Sequence, residues 1–518
     1  MIRTSSDYRD AIREDRDIFM DGERIKDVTT HPAFAPAVDL RAQIYDMQAD
    51  PQHRDVLTRT VGGHTNTVIS TVPFSQADWW AKRRSNERVY RQLGGITSRS
   101  GDETIAELWS LRDCRDALVD MDPQFARNID AQIKACQTDD LFRISANTDP
   151  KGNRAVQPGP ENPDALLRVV KETDAGIVVR GAKFETAAPY ADLAYTKPNI
   201  ANWGDTLPDE YAVGFVCDLN AKDLKFICRS GFARPGKERD YPLSNRFDEI
   251  EALVVFDDVL IPWENVLFHR QPRAATLIRS TLHRYAAFFF VHRIMVFADF
   301  LIGAALLSCR QTGIDREQAV RDKLTRLSVW REGIHAHLTA AIALAEKSPA
   351  GQMMPNQSLL FAGRVLAVSE VNAMMHLVRD LCGGQLALMP SAASFENPET
   401  AEWLENHLSI GADVLAEDRR KLMAFTRDLI NSEYASHKLS FQLFGQSPPH
   451  AHLATVYHTF DWDGPLGLVR DAAGLEDKTD RNEPATPGAA ACSDWLAPHM
   501  PHRQRSLAEF DALEENLS

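Results

Sequence analysis

The side chains best suited to act on a ligand are an arginine in a glycine-rich break and two histidines in an apolar segment. Arg99 lies within Gly94–Gly101, between two segments whose apolar residues recur at helical spacing. His283 and His292 lie in the apolar segment Leu282–Arg293. A guanidinium stabilises an anionic oxygen, and an imidazole accepts a proton near neutral pH. The alternatives are a surface ion pair for the arginine and a core or surface position for each histidine.

Several motifs that identify a reaction are missing. The sequence has no Gly-x-Gly-x-x-Gly after a strand, no Gly-x-x-x-x-Gly-Lys-Ser/Thr, no His-Glu-x-x-His and no Gly-x-Ser-x-Gly. His335 and His337 would face different sides of a helix, so they do not form a metal site. The seven cysteines are scattered and odd in number. They argue against disulfides, zinc or an iron–sulfur cluster, and we expect no metal.

The bulk composition is that of a globular protein. The chain has 518 residues, of which 44% are hydrophobic and 25% charged, so two to four domains are expected. The net charge of −15 argues against a nucleic-acid partner. The N-terminus has no apolar signal segment, and the longest apolar runs, such as Phe300–Leu307, are too short to cross a bilayer. We therefore expect a cytoplasmic location and no membrane partner.

The elements that must position these side chains follow three patterns: mainly helical, then short β-branched runs between turn residues, then helical again. They predict an N-terminal helical domain, a central β domain, a C-terminal helical bundle and a polar tail at residues 1–143, 144–272, 273–473 and 474–518. The four long helices of the bundle are predicted at Leu277–Cys309, Arg316–Glu346, Gln357–Leu381 and Glu399–Phe444. Composition and periodicity alone support an α+β fold class.

Five motifs, taken together and in order, resemble one known family. They are Gly22–Phe34, Lys171–Lys183, Tyr241–Ser244, Val259–Val266 and Asn431–Tyr434. The joint pattern resembles the oxygenase component of two-component flavin monooxygenases, a family that includes 4-hydroxyphenylacetate 3-hydroxylase and chlorophenol monooxygenases. The resemblance covers nearly the whole chain, and it implies the acyl-CoA dehydrogenase-like fold.

The resemblance also implies a reaction. It is a monooxygenation in which reduced FAD and O2 form a C4a-hydroperoxyflavin that hydroxylates a phenolic aromatic, with loss of a ring halide or nitro group where one is attacked. A separate NAD(P)H:flavin reductase would supply the reduced FAD, in agreement with the missing dinucleotide-binding motif. The family further implies a homotetramer.

Site residues follow from the same resemblance. The implied catalytic residues are Arg99, His283, His292 and Thr186, and the implied substrate contacts are Arg99, Glu103, Ser145 and Phe288. The implied flavin contacts are Ser145, Ala146, Asn147, Lys151, Gly152, Asn153, Arg154, Thr186, Gly383, Gly384, Phe441, Gln442, Leu443 and Phe444. Arg99 would stabilise a phenolate, and a histidine would accept the phenol proton.

Two positions depart from the type enzyme. Glu103 stands where that enzyme has a tyrosine, and Ser145 stands where it has a histidine, so 4-hydroxyphenylacetate itself is placed in doubt as substrate. Structural alternatives stay open for Thr186 as a strand-end residue, for Phe288 as helix core, and for Gly383–Gly384 as a helix C-cap.

Other functions remain to be weighed. Within oxygen chemistry, the substrate could instead be an N-heteroaromatic or a carrier-tethered tyrosine. Outside it, the alternatives are an acyl-CoA dehydrogenase-like enzyme, a dehydratase-like enzyme, or a noncatalytic flavin-binding protein. The scattered cysteines disfavour the dehydratase, which needs iron–sulfur ligands.

Overall fold

The computed structural model describes residues 2–95, 97, 99–150, 152, 161–199, 208–411 and 413–475. Of the predicted flavin contacts, Lys151, Asn153 and Arg154 lie outside these residues, as does nearly all of the predicted tail.

The N-terminal region is mainly helical. Its helices and strands are α1 (Ser5–Ala11), β1 (Asp17–Met20), β2 (Glu23–Ile25), α2 (Ala35–Ala49), α3 (Pro51–Leu57), β3 (Thr58–Val61), β4 (His64–Thr67), α4 (Gln76–Leu93), α5 (Asp102–Asp113), α6 (Arg115–Met121) and α7 (Pro123–Cys136). The region predicted as the N-terminal helical domain also contributes to the central sheet, because β1 pairs in parallel with one of its strands. The motif Gly22–Phe34 therefore begins in the β1–β2 hairpin, where Gly22 has a φ of 84° that favours glycine.

The central region contains two sheets. Its elements are β5 (Arg143–Ser145), β6 (Arg168–Thr173), β7 (Gly176–Thr186), β8 (Leu193–Thr196), β9 (Val213–Asp218), β10 (Leu224–Cys228), α8 (Ser244–Phe247), β11 (Glu251–Pro262) and β12 (Val266–His269). One sheet has the order β2-β1-β10-β11-β7-β6, and the other has the order β12-β9-β8-β5. In the antiparallel β7–β11 pair, Thr186 lies opposite Glu251. The second and fourth family motifs lie partly on β7 and β11. Alternate residues are buried along most of each strand.

The C-terminal region is a bundle of helices. Its elements are α9 (Pro272–Thr281), α10 (His283–Thr312), α11 (Gln318–Ala343), β13 (Glu346–Lys347), β14 (Met353–Met354), α12 (Gln357–Cys382), α13 (Gln385–Leu388), α14 (Ala392–Glu396), α15 (Ala401–Leu408), α16 (Ala416–Ile430), α17 (Glu433–Phe444), α18 (Pro449–Thr459) and α19 (Asp463–Ala473). The fourth predicted helix is broken into α15, α16 and α17. It breaks at Gly411, with φ 60°, and again where the Ser432 hydroxyl caps α17.

The short apolar runs of the sequence predicted that no segment could cross a bilayer, and the length of helix α10 corrects this. Helices α10 and α12 are long and apolar enough to cross a membrane by length and composition alone. However, 67% of the most apolar window of α10 is buried inside the protein, as expected for the central helix of a bundle. The absence of a membrane partner stays a prediction.

A buried carboxylate joins the central region to the bundle. Asp428 of α16 is fully buried, and its Oδ2 accepts hydrogen bonds from the backbone N–H groups of Leu243 and Ser244, both at 2.7 Å. The Ser244 hydroxyl donates to the same carboxylate. The family motif Tyr241–Ser244 is thus the start of α8, and an aspartate from another domain satisfies its free N–H groups.

We expect Asp428→Ala to lower the free energy of unfolding by about 3 kcal/mol, because it leaves buried N–H donors without an acceptor. Chemical denaturation of the purified variant measures this change. Asp418→Ala, at an exposed position of the same helix, is the control and should change stability by less than about 0.5 kcal/mol. Equal stabilities for the two variants would contradict the assigned role of Asp428.

Candidate active site

Arg99 lies at the meeting point of the N-terminal region, the central sheets and the bundle. Its Nε donates to Glu185 Oε1 at 2.8 Å, and its backbone N–H donates to Glu249 Oε1 at 2.8 Å. The guanidinium carbon lies 5.2 Å from the ring centre of Phe441 in α17. Lys438, one turn earlier in α17, donates to Glu249 at 2.9 Å. The loop after α4 is therefore fastened to both sides of the domain interface.

Glu185 is buried because it follows the inward face of β7. Lys183 and Glu185 alternate with the exposed Phe184, so the charged residues point inward near the end of this strand. Burial raises the pKa of Glu185 to about 7, even though the adjacent Arg99 favours the ionised form. The carboxyl group therefore titrates near neutral pH inside the site.

Thr186 ends β7 beside a second carboxylate. Its hydroxyl donates to Glu251 Oε1 at 3.3 Å, and the same oxygen contacts His437 Nε2 of α17 at 3.0 Å. The strand stops there because Ala187 adopts a left-handed conformation with φ 69°. Burial would raise the pKa of Glu251, but His437 and the charge of Arg229 lower it to about 2.

The segment Ser145–Asn147 brings further polar groups to the same interface. The Ser145 hydroxyl and the Asn147 amide both donate to Glu107 Oε2, at 2.7 and 3.2 Å, while Ala146 is fully buried. Burial raises the pKa of Glu107. The backbone N–H of Gly152, another predicted flavin contact, donates to the Pro150 carbonyl at 3.0 Å.

Glu103 belongs to an ionic network behind Arg99. Its carboxylate contacts the Arg293 guanidinium and lies 3.9 Å from Arg99 Nη1. It also accepts a hydrogen bond from the Gln446 amide at 2.9 Å, and Arg293 pairs with Asp102 at 3.2 Å. The acidic residue at this position therefore compensates the buried Arg293 and the half-buried Arg99.

The structure separates the two candidate histidines. His283, at the start of α10, has a hydrogen bond with the backbone of Gln446. Burial, and then the charge of Arg364, lower the pKa of its ring. His292 is fully buried, and neither ring nitrogen has a partner among the described residues. Its ring packs 6.2 Å from that of Phe288, and burial lowers its pKa to about 3. The structure thus brings His283 to the interface but places His292 and Phe288 in the aromatic core.

The remaining predicted flavin contacts lie at two places. In α17, Gln442 borders a cavity of about 50 Å³, Leu443 is half-buried and Phe444 is exposed. Gly383, with φ 62°, ends α12, and Gly384 precedes α13. This is the geometry of a helix terminus. A contact of the Gly-Gly pair with flavin across a subunit interface stays a prediction.

Sequence reasoning missed the charged and polar partners of the predicted residues. These are Glu107, Glu185, Glu249, Glu251, Arg364, His437, Lys438 and Gln446. The alternation Lys183-Phe184-Glu185 in a strand whose other inward residues are apolar was a usable signal for Glu185. No local signal marks Glu249 or Lys438, which lie far apart in the chain.

The residues present suit a flavin. Hydroxyl and amide groups of Ser145, Asn147 and Thr186 line the interface, and an isoalloxazine ring offers both donors and acceptors to such groups. Gln442 Oε1 is buried and has no hydrogen-bond partner among the described residues, so it is available to a ligand N–H. Three regions of the chain supply polar groups around an apolar α17 face, as a bound cofactor requires.

Comparison with known proteins gives the class, an FAD-dependent aromatic monooxygenase, and identifies the family. Residues 4–268 match the N-terminal model of 4-hydroxyphenylacetate 3-hydroxylase, and residues 273–474 match the C-terminal model. The chain therefore belongs to the 4-hydroxyphenylacetate 3-hydroxylase family, as its oxygenase component, and the predicted fold class, flavin cofactor and reaction class are confirmed.

Three similar proteins cover most of the chain. The 4-hydroxyphenylacetate 3-monooxygenase oxygenase component of Thermus thermophilus is 27% identical, over 89% of this chain and 95% of its own. The (3S)-3-amino-3-(3-chloro-4-hydroxyphenyl)propanoyl-[peptidyl-carrier protein] monooxygenase of Streptomyces globisporus is 30% identical, over 84% and 83%. A crystal structure of a 4-hydroxyphenylacetate 3-monooxygenase oxygenase component, complexed with FAD and 4-hydroxyphenylacetate, superposes with a TM-score of 0.84 at 27% identity, covering 91% and 98%.

The raised pKa of Glu185 should make the stability of the protein depend on pH. Because its folded pKa of about 7 exceeds the ordinary value of 4.5, its contribution to stability is complete below pH 4.5 and is lost as pH rises to about 7. The difference in unfolding free energy between Glu185→Gln and the unsubstituted protein should therefore move by about 3 kcal/mol in favour of the variant as the pH rises from 4.5 to 7, whatever constant cost the loss of the Arg99 partner adds. Denaturation at a series of pH values measures the difference.

Glu251→Gln is the matched control with the opposite sign. The lowered pKa of Glu251 adds stability above pH 4.5, and this stability is lost as pH falls towards 2. The variant should therefore be less stable than the unsubstituted protein above pH 5. A pH-independent difference for Glu185→Gln would contradict a buried, neutral-range carboxyl group.

Proposed function

We propose that the protein hydroxylates a small phenol at the interface of the β domain and the bundle, using reduced FAD delivered by a separate NAD(P)H:flavin reductase. The observation that carries the proposal is the convergence of Thr186, Ser145–Asn147 and α17 around the ion pair of Arg99 with the buried Glu185. The bound flavin supplies the activated oxygen. Both similar curated proteins act on aromatics with a ring hydroxyl, which supports a phenol as the substrate class.

The chain's own residues have three tasks in this proposal. Thr186 and the Ser145–Asn147 segment orient the cofactor through hydroxyl and amide groups. The packed α17 face excludes water from the reacting atoms. Burial and then nearby cations lower the pKa of His283, so its ring is neutral in the absence of substrate and can accept a hydrogen bond from the phenol O–H; a phenolate formed beside it would raise its basicity again.

The protein should hydroxylate phenols in a reconstituted assay. Purified protein with a flavin reductase, FAD, NADH and O2 is given a panel of 4-substituted phenols, and hydroxylated product and hydrogen peroxide are both quantified. For a substrate, we expect product to rise as peroxide falls. The O-methyl ether of the same phenol is the matched control and should yield peroxide only. Stoichiometric peroxide with every phenol would sink the proposal.

Two histidine variants test in the same assay which histidine accepts the phenol proton. His283→Asn should lower the rate of product formation by about 10²-fold or more, because a general base contributes that much. His292→Leu removes a core imidazole whose nitrogens have no hydrogen-bond partner in the described part of the chain, and should retain the rate to within about twofold. If His292→Leu is the inactive variant instead, the placement of the proton acceptor is wrong.

We also propose a homotetramer in the cytoplasm. Exposed apolar side chains concentrate on the last helices, including Tyr457, Leu468 and Val469, and such surfaces commonly form interfaces. The described cysteines are buried and free of disulfides, which supports a reducing compartment. Light scattering on the purified protein should give the mass of four chains, and the mass of one chain would exclude the tetramer.

A further inference from the structure

A second cavity lies in the N-terminal region. It has a volume of about 40 Å³ and lies between helices α2, α4 and α5, the end of the loop that carries Arg99, and the segment Asp140–Leu141. Among the described residues, none of β7 or α17 lines it, so it is separate from the candidate active site. Its volume is enough for about three water-sized groups. We call it the Arg41 cavity, after the arginine that lines it.

The protein itself does not satisfy the polar lining of the Arg41 cavity. Four buried atoms of its lining residues have no hydrogen-bond partner in the described part of the chain: Arg41 Nε, Gln48 Oε1, Tyr90 Oη and Ser100 Oγ. The Tyr90 hydroxyl lies near Ser100, but the two do not have hydrogen-bond geometry. Proteins rarely leave buried polar atoms unpaired, and a molecule in an adjoining cavity usually supplies the partners. Four such atoms around one cavity therefore indicate a polar occupant.

Arg41 is held firmly while one of its donors stays unused. The side chain is buried, and its guanidinium carbon lies 4.6 Å from the ring centres of both Tyr45 and Phe142. Its Nη1 donates to the Ser100 carbonyl at 3.1 Å, and its Nη2 donates to the Tyr45 hydroxyl at 3.0 Å. Two rings and two hydrogen bonds thus fix the planar group, and the Nε–H remains for a ligand.

The charge of Arg41 is only partly compensated. Its hydrogen bonds go to neutral oxygens, and no carboxylate among the described residues forms an ion pair with it. Asp140 lines the same cavity and acts on Arg41 at longer range, but its Oδ2 accepts from the backbone N–H of Arg3 at 3.3 Å. Burial raises the pKa of Asp140 to about 6, so its carboxyl group is protonated more easily than usual when an anion enters. A buried guanidinium without a paired anion is costly, and this favours an anion over water as the occupant.

The size and shape of the cavity favour a carboxylate. Space for about three water-sized groups suits formate or acetate, whereas an aromatic ring is too large. One carboxylate oxygen can accept from Arg41 Nε, and the other from the hydroxyl of Tyr90 or Ser100. The Gln48 carboxamide can turn either its oxygen or its NH2 group towards such a ligand.

We propose that the Arg41 cavity binds a small carboxylate of about the size of formate or acetate, and that this binding restrains the loop that carries Arg99. The link is the Arg41 side chain, which would hold the ligand through Nε and holds the Ser100 carbonyl through Nη1. Arg99 is the preceding residue, so a ligand on Arg41 restrains the backbone next to it. The binding part is independent of the proposed phenol hydroxylation, whereas the coupling part rests on it.

Formate is the probe for binding, because its single C–H proton is easily followed by NMR. It is titrated into the purified full-length protein, and the attenuation of its proton signal on irradiation of the protein is measured. We expect an attenuation that saturates with formate concentration and is competed by acetate, but not by chloride at the same ionic strength. An attenuation that does not saturate, or that chloride removes as well as acetate does, would overturn the carboxylate site.

Arg41→Met should weaken formate binding about tenfold or more, because a charge-assisted hydrogen bond is lost. Arg54→Met, at an exposed position of the next helix, α3, is the matched arginine control and should bind formate like the unsubstituted protein. Equal affinity in Arg41→Met and the unsubstituted protein would place the ligand elsewhere and overturn the assignment. Should Arg41→Met fail to fold by circular dichroism, unchanged formate affinity in both Arg41→Lys and Tyr90→Phe would overturn it equally.

The reductase assay tests the coupling. With a phenol that the protein hydroxylates, formate should lower KM several-fold and leave kcat nearly unchanged, because it acts on the loop and not on the reacting atoms. Arg54→Met should respond in the same way, and Arg41→Met should not respond. Formate binding with an unchanged KM would overturn the coupling and leave the site. A protein that binds formate but hydroxylates no phenol would reject the proposed function, and the coupling with it, while the carboxylate site stands.

Discussion

The structure depends on one constraint, namely that every charge buried between the β domain and the bundle needs a partner from another part of the chain. Arg99 reaches Glu185 of β7, and its backbone reaches Glu249, which also binds Lys438 of α17. Removing either member of such a pair leaves an uncompensated charge in a region of low dielectric, which costs several kcal/mol. The pairs therefore fix the docking of the domains as much as apolar packing does.

This way of holding the domains together also prepares the chemistry. Ion pairs buried in an interface lie in a region of lower dielectric than water, and this strengthens each electrostatic interaction with a ligand. The pairs also bring functional groups into position, since the Arg99–Glu185 and Thr186–Glu251 contacts lie side by side at the end of β7. Arg364 is an exception, because no carboxylate among the described residues forms an ion pair with it, and Arg41 of the N-terminal region is another; such exceptions are where ligands are expected.

The same constraint explains why the two histidines of α10 differ. Both lie in an apolar segment, and the sequence offers no way to rank them. Helix α10 is covered on nearly all sides, so position along the helix decides the environment. His283, at the first turn, meets α12 and the α17–α18 link. His292 lies more than two turns further on, packed against Tyr90 and Phe288, and no described residue hydrogen-bonds its ring nitrogens.

The sequence by itself determined the class of fold, the family and the reaction class, because strand alternation, helical periodicity and turn residues are local properties and the family motifs are contiguous. It also placed Arg99, Thr186 and Ser145–Asn147 at one site through resemblance. Only the tertiary structure decided that β1 joins the central sheet, that the fourth long helix is three, and that Glu103 serves Arg293. It alone showed that Arg99 pairs with Glu185 and that no carboxylate of the described residues forms an ion pair with Arg364. The physical reason is that charge compensation in a protein interior depends on distances between residues far apart in the chain, and no local pattern encodes them.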